Sequence, residues 1–208
     1  MKYYLSSFRT GNRVDKLVEM SKLTNKRVAF ISNAMDYMSD LETRSIVEAH
    51  DKKDLEELGL HVESIDLLDY FNKQSELRKK MRHYDIIWCT GGNNFILLEA
   101  IRRSGLEKVI YERNSSENRF IYGGFSAGAS ILGPTLEGIH LTDEPNIKPY
   151  GETESIRWDG LGILNYVIVP HYQSELFKDL DTNSAIEFLI KNKTLFKAIK
   201  DGEVIIIE

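Results

Sequence analysis

Short apolar runs alternate with longer amphipathic segments along most of the chain, and this alternation restricts the possible folds more than any other feature. The clearest buried strand is predicted at residues 85–89, between helical segments at 71–82 and 95–103. Strands separated by helices predict βαβ units and a mainly parallel sheet. Because the crossovers in such units are right-handed, helices are expected on both sheet faces. The sequence therefore predicts a three-layer α/β fold.

The remaining predicted elements continue this order. Strands or strand-like runs are predicted at residues 3–5, 28–31, 61–65, 120–123, 163–169, 195–199 and 204–207, and helices at 14–23, 40–58, 106–113, 127–132 and 185–190. No internal repeat or low-complexity linker interrupts the pattern, so residues 1–208 are predicted to form a single domain. The polar, irregular region 134–162 is interpreted as a long functional loop.

Charge and cysteine content narrow the possible partners and compartments. The formal net charge of -5 argues against a nucleic-acid or membrane-surface partner, and the basic run at residues 78–82 is interpreted as a solvated helix face. The single cysteine, Cys89, rules out an intrachain disulfide and suits a reducing compartment. No apolar stretch is long enough for a signal peptide or a membrane span. These features predict a cytoplasmic protein.

The segment Gly124–Gly128 matches the pattern G-x-S-x-G, with Ser126 at its centre. A β-type run precedes it and a helix-capable run follows it, as expected for a sharp strand-to-helix turn that exposes the serine hydroxyl at the carboxyl end of the sheet. The amide of Ala127 would lie at a helix N-terminus, where it can donate to a developing oxyanion. Ser126 is the predicted nucleophile. The alternative is a tight turn that serves packing alone.

A serine nucleophile needs a base, and His171 is the best-placed histidine. It follows the apolar run 167–169, so it too should lie at the carboxyl end of a strand. His140 is the reserve candidate. Of the remaining histidines, His50 lies in a predicted helix, and His61 and His83 lie at the starts of predicted strands, on the opposite edge of the sheet.

Residues 90–94, Thr-Gly-Gly-Asn-Asn, form a glycine-rich turn directly after a buried strand. The amides of Gly91 and Gly92 are candidates for a second oxyanion donor beside Ala127. A phosphate site is weakly supported because the full dinucleotide and P-loop patterns are missing, and a purely structural turn is the other alternative. The sequence also has no H-E-x-x-H and no paired cysteine ligands, so neither a metal nor an organic cofactor is expected.

The carboxylate that would orient the histidine is left open between Asp143 and Asp201. Asp143 lies in the irregular loop, and Asp201 lies in an Asp-Gly turn after the strand-like run 195–199. Spacing does not choose between them. We favour Asp201 because a preceding strand would hold it rigidly. Cys89 lies inside an apolar strand with no neighbouring base, so it is interpreted as a core residue rather than a nucleophile.

Three segments together resemble the peptidase E family, the aspartyl dipeptidase-like serine peptidases related to cyanophycinase: residues 90–98, 123–129 and 170–172. The resemblance implies a fold similar to class I glutamine amidotransferases, with serine in place of the cysteine at the turn. It also implies hydrolysis of small peptides through an acyl-enzyme.

Residue by residue, the resemblance makes Ser126 the nucleophile and His171 the base. Asp143 resembles a family loop aspartate assigned to the charge relay. Asp201 falls where the family has the glutamate of a Glu-Gly pair. Aspartate is one methylene shorter than that glutamate, so Asp201 departs from the family pattern for the third member. The chain also ends soon after Ile207, where the aspartyl dipeptidases continue through further strands, and the aspartyl specificity is therefore not carried over to this chain.

Two other functions fit parts of the sequence. An α/β-hydrolase esterase is suggested by the same G-x-S-x-G pattern, but such enzymes place the histidine after the last strand, and here further elements follow His171. A non-catalytic binding module would keep the turn for packing alone. Arg157 and Lys148 are candidates for binding an acidic side chain or a peptide carboxylate, or are ordinary surface charges.

Overall fold

A computed structural model describes residues 1–115, 120–151 and 155–208 of the chain. It contains a six-stranded sheet and a separate two-stranded sheet. The strands are β1 (Lys2–Ser6), β2 (Arg27–Ile31), β3 (His61–Ser64), β4 (Ile86–Cys89), β5 (Ile121–Phe125), β6 (Val167–Val169), β7 (Phe196–Ala198) and β8 (Val204–Ile207). The helices are α1 (Val14–Ser21), α2 (Leu41–Glu57), α3 (Gln74–Met81), α4 (Asn94–Ser104), α5 (Leu106–Asn114), α6 (Ala127–Ser130) and α7 (Thr182–Lys191).

The large sheet has the strand order β3-β2-β4-β5-β1-β8. Its first five strands are parallel, and β8 pairs antiparallel with β1 at one edge. The mainly parallel α/β sheet predicted from the sequence is therefore confirmed. Because β4, β5 and β1 are neighbours, the chain segments that leave their carboxyl ends meet at one edge of the sheet.

Alternate residues of the strands pack into two separate cores, one on each face of the sheet. On one face, Phe30 and Trp88 pack with Leu17 of α1 and Leu55 of α2. The other face is the larger core and takes the buried residues of α3, α4, α5 and α6. The period-two alternation that follows from strand geometry thus produces helices on both faces, as predicted.

Several predicted elements differ from the structure. The helix predicted at 185–190 spans Thr182–Lys191, and the helix predicted at 127–132 ends at Ser130. Of the apolar run 163–169 only the last three residues form a strand, and this strand pairs with β7 in the small sheet rather than joining the large one. The helix predicted from Phe71 begins at Gln74, because Phe71 is extended, with φ -59° and ψ 127°, and Asn72 has φ 61°. The ring of Phe71 packs edge-on against Tyr150, 5.1 Å between centroids.

In the region predicted to be a long loop, the described part contains a short 3-10 helix at Ile139–Leu141 and an isolated bridge between Thr135 and Asp159. Across the described residues, every helix is too short or too polar to cross a membrane.

Candidate active site

Ser126 lies between β5 and α6 in a backbone conformation that non-glycine residues rarely adopt, with φ 50° and ψ -115°. Glycines on both sides make room for this turn. A Cβ atom added at Gly128 would lie 2.2 Å from the carbonyl oxygen of Cys89, and one added at Gly124 would lie 2.7 Å from the same atom. The sharp turn expected from the G-x-S-x-G pattern therefore needs glycine at both positions.

Ser126, His171 and Asp201 form a continuous chain of contacts. The Oγ atom of Ser126 lies 2.9 Å from Nε2 of His171, and Nδ1 of His171 lies 2.7 Å from Oδ1 of Asp201. Of the two carboxylates that the sequence left as candidates, the structure therefore places Asp201 against the histidine. The arrangement has the order nucleophile, base and orienting acid that acyl-transfer sites use.

His171 is held by its backbone and by aromatic neighbours. It directly follows the β6–Pro170 segment and has φ 58°, and its backbone N–H donates to the Oγ of Ser7 over 2.8 Å. Its ring packs against Phe177, with centroids 4.1 Å apart, and against Phe8 at 6.2 Å. These contacts leave His171 only 4% exposed, so the ring has little freedom to turn away from Ser126.

Asp201 receives two hydroxyl hydrogen bonds besides its contact with His171. The Oγ of Ser7 donates to Oδ1 over 3.0 Å, and the Oγ of Ser174 donates to Oδ2. Burial raises the pKa of Asp201, but the bonds from Ser174, His171 and Ser7 outweigh it and leave the pKa below its usual value. The carboxylate is therefore ionised at neutral pH.

Ser7 and Ser174 did not emerge from the sequence as site residues. Ser7 directly follows β1, the neighbour of β5, so the rule that sites collect at the carboxyl ends of parallel strands would have found it. Ser174 lies in the turn after His171 and carries no pattern of its own.

The pKa of His171 lies below its ordinary value because burial disfavours the charged ring, although Asp201 opposes this shift. The ring is therefore neutral at neutral pH. The ionised carboxylate of Asp201 favours the tautomer with hydrogen on Nδ1, which leaves the lone pair of Nε2 facing the hydroxyl of Ser126. In this state the histidine can accept a proton from the serine.

The glycine turn lies directly beside the serine. A Cβ atom added at Gly91 would lie 3.1 Å from the Cβ of Ser126, and the N–H of Gly128 donates to the carbonyl of Thr90 over 3.1 Å, which joins the turn to α6. Among the hydrogen bonds of the described residues, none uses the backbone N–H of Gly91, Gly92 or Ala127. These donors remain available to an anion near Ser126.

Asp143 lies in the same cleft but does not contact His171. Its Oδ2 accepts hydrogen bonds from the backbone N–H of Asn94 over 2.8 Å and from the Nδ2 of Asn94 over 2.6 Å. Burial raises the pKa of Asp143, and the two bonds from Asn94 partly offset this. The carboxylate is thus fixed to the N-terminus of α4, on the glycine-turn side of the site, and not in the position of a partner for the histidine.

The other candidate side chains lie elsewhere, with one exception. His140 accepts a hydrogen bond from the N–H of Gly138 and packs against Trp158, apart from Ser126. Cys89 is fully buried, and burial raises the pKa of its thiol to about 12, which confirms it as a core residue. His50, assigned from sequence only to a helix, lines the cleft from α2.

Ser126, His171 and the glycine turn open into a cleft of about 750 Å³, which also includes Asp143. Its volume falls within the range of small-molecule sites. Within the described residues, no group of three or more histidine, cysteine, aspartate or glutamate side chains is arranged to hold a metal ion.

Comparison with known proteins identifies the family. The sequence model of Peptidase family S51 matches residues 6–208. The chain belongs to this family. An uncharacterized peptidase of Listeria monocytogenes serovar 1/2a is 33% identical over 173 residues, which cover 83% of this chain and 78% of the relative. A peptidase E of Shewanella amazonensis is 32% identical over 101 residues, 49% of this chain and 39% of the relative.

Solved structures agree with this assignment. A crystal structure of a protein assigned to peptidase E, from Listeria monocytogenes EGD-e, has a TM-score of 0.78 and 31% identity, and the match covers 99% of this chain and 93% of that one. A peptidase from an acI-B1 actinobacterium, 18% identical with a TM-score of 0.73, shares the fold, with coverage of 100% and 83%. This S51 family member is therefore a peptidase, and the resemblance to peptidase E seen in the sequence is confirmed.

Proposed function

We propose that this S51 peptidase is a serine peptidase that hydrolyses short peptides through an acyl-enzyme on Ser126. The observation that carries the proposal is the unbroken contact chain from the Ser126 hydroxyl through both ring nitrogens of His171 to Asp201. A single close pair occurs often in proteins. Three groups in the order nucleophile, base and acid, beside unused backbone donors, match a recognised catalytic geometry.

In the first half-reaction, Oγ of Ser126 forms a bond to the carbonyl carbon of the scissile peptide, and its proton passes to Nε2 of His171. The negative charge that develops on the carbonyl oxygen is stabilised by the free N–H groups of Ala127 and the Gly91–Gly92 turn. Asp201 stabilises the imidazolium without taking its proton. The carbon–nitrogen bond then breaks, His171 protonates the leaving amine, and the acyl-enzyme remains.

In the second half-reaction, a water molecule attacks the ester carbon while its proton passes to Nε2 of His171. The tetrahedral intermediate is stabilised by the same backbone donors, because its oxyanion occupies the same position. Collapse breaks the bond to Ser126, whose Oγ recovers the proton from His171. The products are a carboxylic acid and the free enzyme, so the cycle is balanced.

The proposal of short peptides rests on the size of the cleft. About 750 Å³ accommodates a few residues, and residues of α2 and the segment that carries Asp143 and Glu144 line it.

We also propose that the peptidase acts in the cytoplasm. The single cysteine, Cys89, is a free thiol in the core, which suits a reducing compartment. Fractionation of cells that produce the tagged chain tests this, and recovery from an extracytoplasmic fraction would contradict it.

A dipeptide library tests the function, with wild-type protein measured beside the Ser126→Ala variant. We expect hydrolysis by the wild type and a loss of several orders of magnitude in the variant, because triad members act as a unit. The matched control is Ser21→Ala, a buried serine that bonds to Val18 within its own helix. Equal hydrolysis by the Ser126 variant would refute the proposal.

A further inference from the structure

We infer that the preferred substrates are peptides with a free amino terminus and an uncharged, apolar first residue, and that Asp143 binds the terminal ammonium group. This inference rests on the proposed function, since it places the first residue of the peptide on the acyl side of Ser126. It departs from the aspartyl preference associated with peptidase E. The argument depends on three features of the cleft: its apolar wall, its single paired arginine and its fixed aspartate.

The cleft wall is largely apolar. Phe8 packs edge-on against Phe177, 5.3 Å between ring centroids, and both rings also pack against His171. Further apolar side chains line the same cleft: Met35, Tyr37, Ile46, Val47 and Leu180. An apolar side chain gains about 25 cal/mol per Å² of surface buried against such a wall, whereas a charged one loses its hydration there.

Arg9 is the one lysine or arginine that lines the cleft among the described residues, and its charge is already paired. Its Nη2 lies 2.5 Å from Oδ2 of Asp54, and its Nε lies 3.7 Å from Oδ1 of Asp51. The side chain of Asp51 is only 7% exposed, so this cluster is mostly shielded from water. Burial raises the pKa of Asp51 to about 7, so this group is only partly ionised at neutral pH. The carboxylate of Asp54 alone balances the guanidinium, which leaves no net positive charge to attract an acidic substrate side chain.

Asp143 is fixed in the cleft that Ser126 also lines. Both donors of Asn94 bind its Oδ2, and the Nδ2 of Asn93 donates to the carbonyl of Glu144 over 2.8 Å. These bonds hold the aspartate beside the glycine turn that would receive the oxyanion. In a peptide, the α-nitrogen lies only about 2.5 Å from the carbonyl carbon, because two bonds separate them. A carboxylate at this place can therefore meet the terminal ammonium.

The second oxygen of Asp143 has no hydrogen-bond donor in the part of the chain that the structure describes. Burial without a nearby cation destabilises the charged form of a carboxylate, and it raises the pKa of Asp143 accordingly. A bound ammonium group would supply the missing charge and hydrogen bond. An acidic first side chain would instead add a second negative charge to the cleft that Asp143 lines.

Hydrolysis of four substrates by the wild-type protein tests the inference: Leu-Ala, Met-Ala, Asp-Ala and N-acetyl-Leu-Ala. We expect kcat/KM for Leu-Ala and Met-Ala to exceed that for Asp-Ala by about tenfold or more. Acetylation removes the ammonium and should lower kcat/KM by about 10- to 100-fold, the effect of losing one charge-assisted hydrogen bond.

The Asp143→Asn variant assigns the ammonium site. It should raise KM for Leu-Ala more than it lowers kcat. Its effect should not add to that of acetylation, because both changes remove the same interaction. The matched control is Glu137→Gln, the same charge change at an exposed residue of the same region that does not line the cleft. We expect this control to change kcat/KM by less than about threefold.

Three results would overturn the inference: Asp-Ala cleaved as well as Leu-Ala, acetylated Leu-Ala cleaved as well as free Leu-Ala, or Glu137→Gln matching Asp143→Asn. The wild-type comparisons need no folded variant. Hydrolysis of other peptides that depends on Ser126, without preference for an apolar first residue, would refute this inference and leave the proposed function standing. The absence of any peptide hydrolysis that depends on Ser126 would refute both.

Discussion

Replacing Asp201 by asparagine should disable the site by changing which nitrogen of His171 carries hydrogen. In the wild-type protein, Oδ1 of Asp201 lies 2.7 Å from Nδ1 of the His171 ring, and this carboxylate oxygen can only accept, so Nδ1 must carry the hydrogen. An asparagine that turns its NH2 group toward the ring would instead require the lone pair on Nδ1. Nε2 would then carry the hydrogen, 2.9 Å from the hydroxyl of Ser126, and could not accept its proton.

The expected loss is about 10³- to 10⁴-fold in kcat, or about 4–5 kcal/mol of transition-state stabilisation, as for other triads with a carboxylate-to-amide change. KM should change little, because Asp201 contacts the histidine and two hydroxyls rather than the open cleft. Steady-state hydrolysis of a cleaved dipeptide measures both parameters. The Ser174→Ala variant, which removes one hydrogen bond to Asp201, is a graded control and should cost about tenfold or less.

A loss of less than tenfold in kcat for Asp201→Asn, in protein with an unchanged circular dichroism spectrum, would refute this reasoning. It would mean that Asp201 does not set the tautomer of His171, whatever its distance from the ring.

Three further predictions follow from the same geometry. The proposed base must be neutral, and burial lowers the pKa of His171, so kcat/KM should fall as the pH decreases, with a midpoint below pH 6.5. A midpoint above pH 6.5 in the profile of kcat/KM would contradict this. The Gly92→Ala variant should lose about 1–3 kcal/mol of unfolding free energy, measured in urea, and most of its activity, because the added Cβ would lie 2.4 Å from the carbonyl oxygen of Ala34. The control Gly59→Ala should lose less unfolding free energy, because Gly59 also has a positive φ but has open space around it. Iodoacetamide should leave the native enzyme active, because burial raises the pKa of Cys89 to about 12, and rapid alkylation with inactivation would argue against a core thiol.

The sheet could be predicted because its strands carry strong local signals. The run that became β4 is fully buried and bounded by polar turns, and β8 matches the prediction at both ends. The small sheet of β6 and β7 could not be foreseen. A three-residue strand pairs through contacts with distant chain, and nothing in a short apolar run tells which sheet it will join.

The site residues that directly follow a predicted strand could be predicted from the sequence. Ser126, the glycine turn and His171 each come directly after an apolar run, and the structure brings them together. The choice between Asp143 and Asp201 depended on tertiary packing instead. Asp143 is held by Asn94, a contact across 49 residues, and no local pattern encodes it.

Intact-protein mass spectrometry after treatment with a fluorophosphonate most directly tests the central claim that Ser126 is an activated nucleophile. We expect one phosphonyl group per chain, located on Ser126 by peptide mapping. Labelling should be lost in the Ser126→Ala variant and strongly slowed in His171→Ala, because the hydroxyl depends on its base. Labelling of a different residue, or labelling of Ser126 at the same rate without His171, would contradict the account.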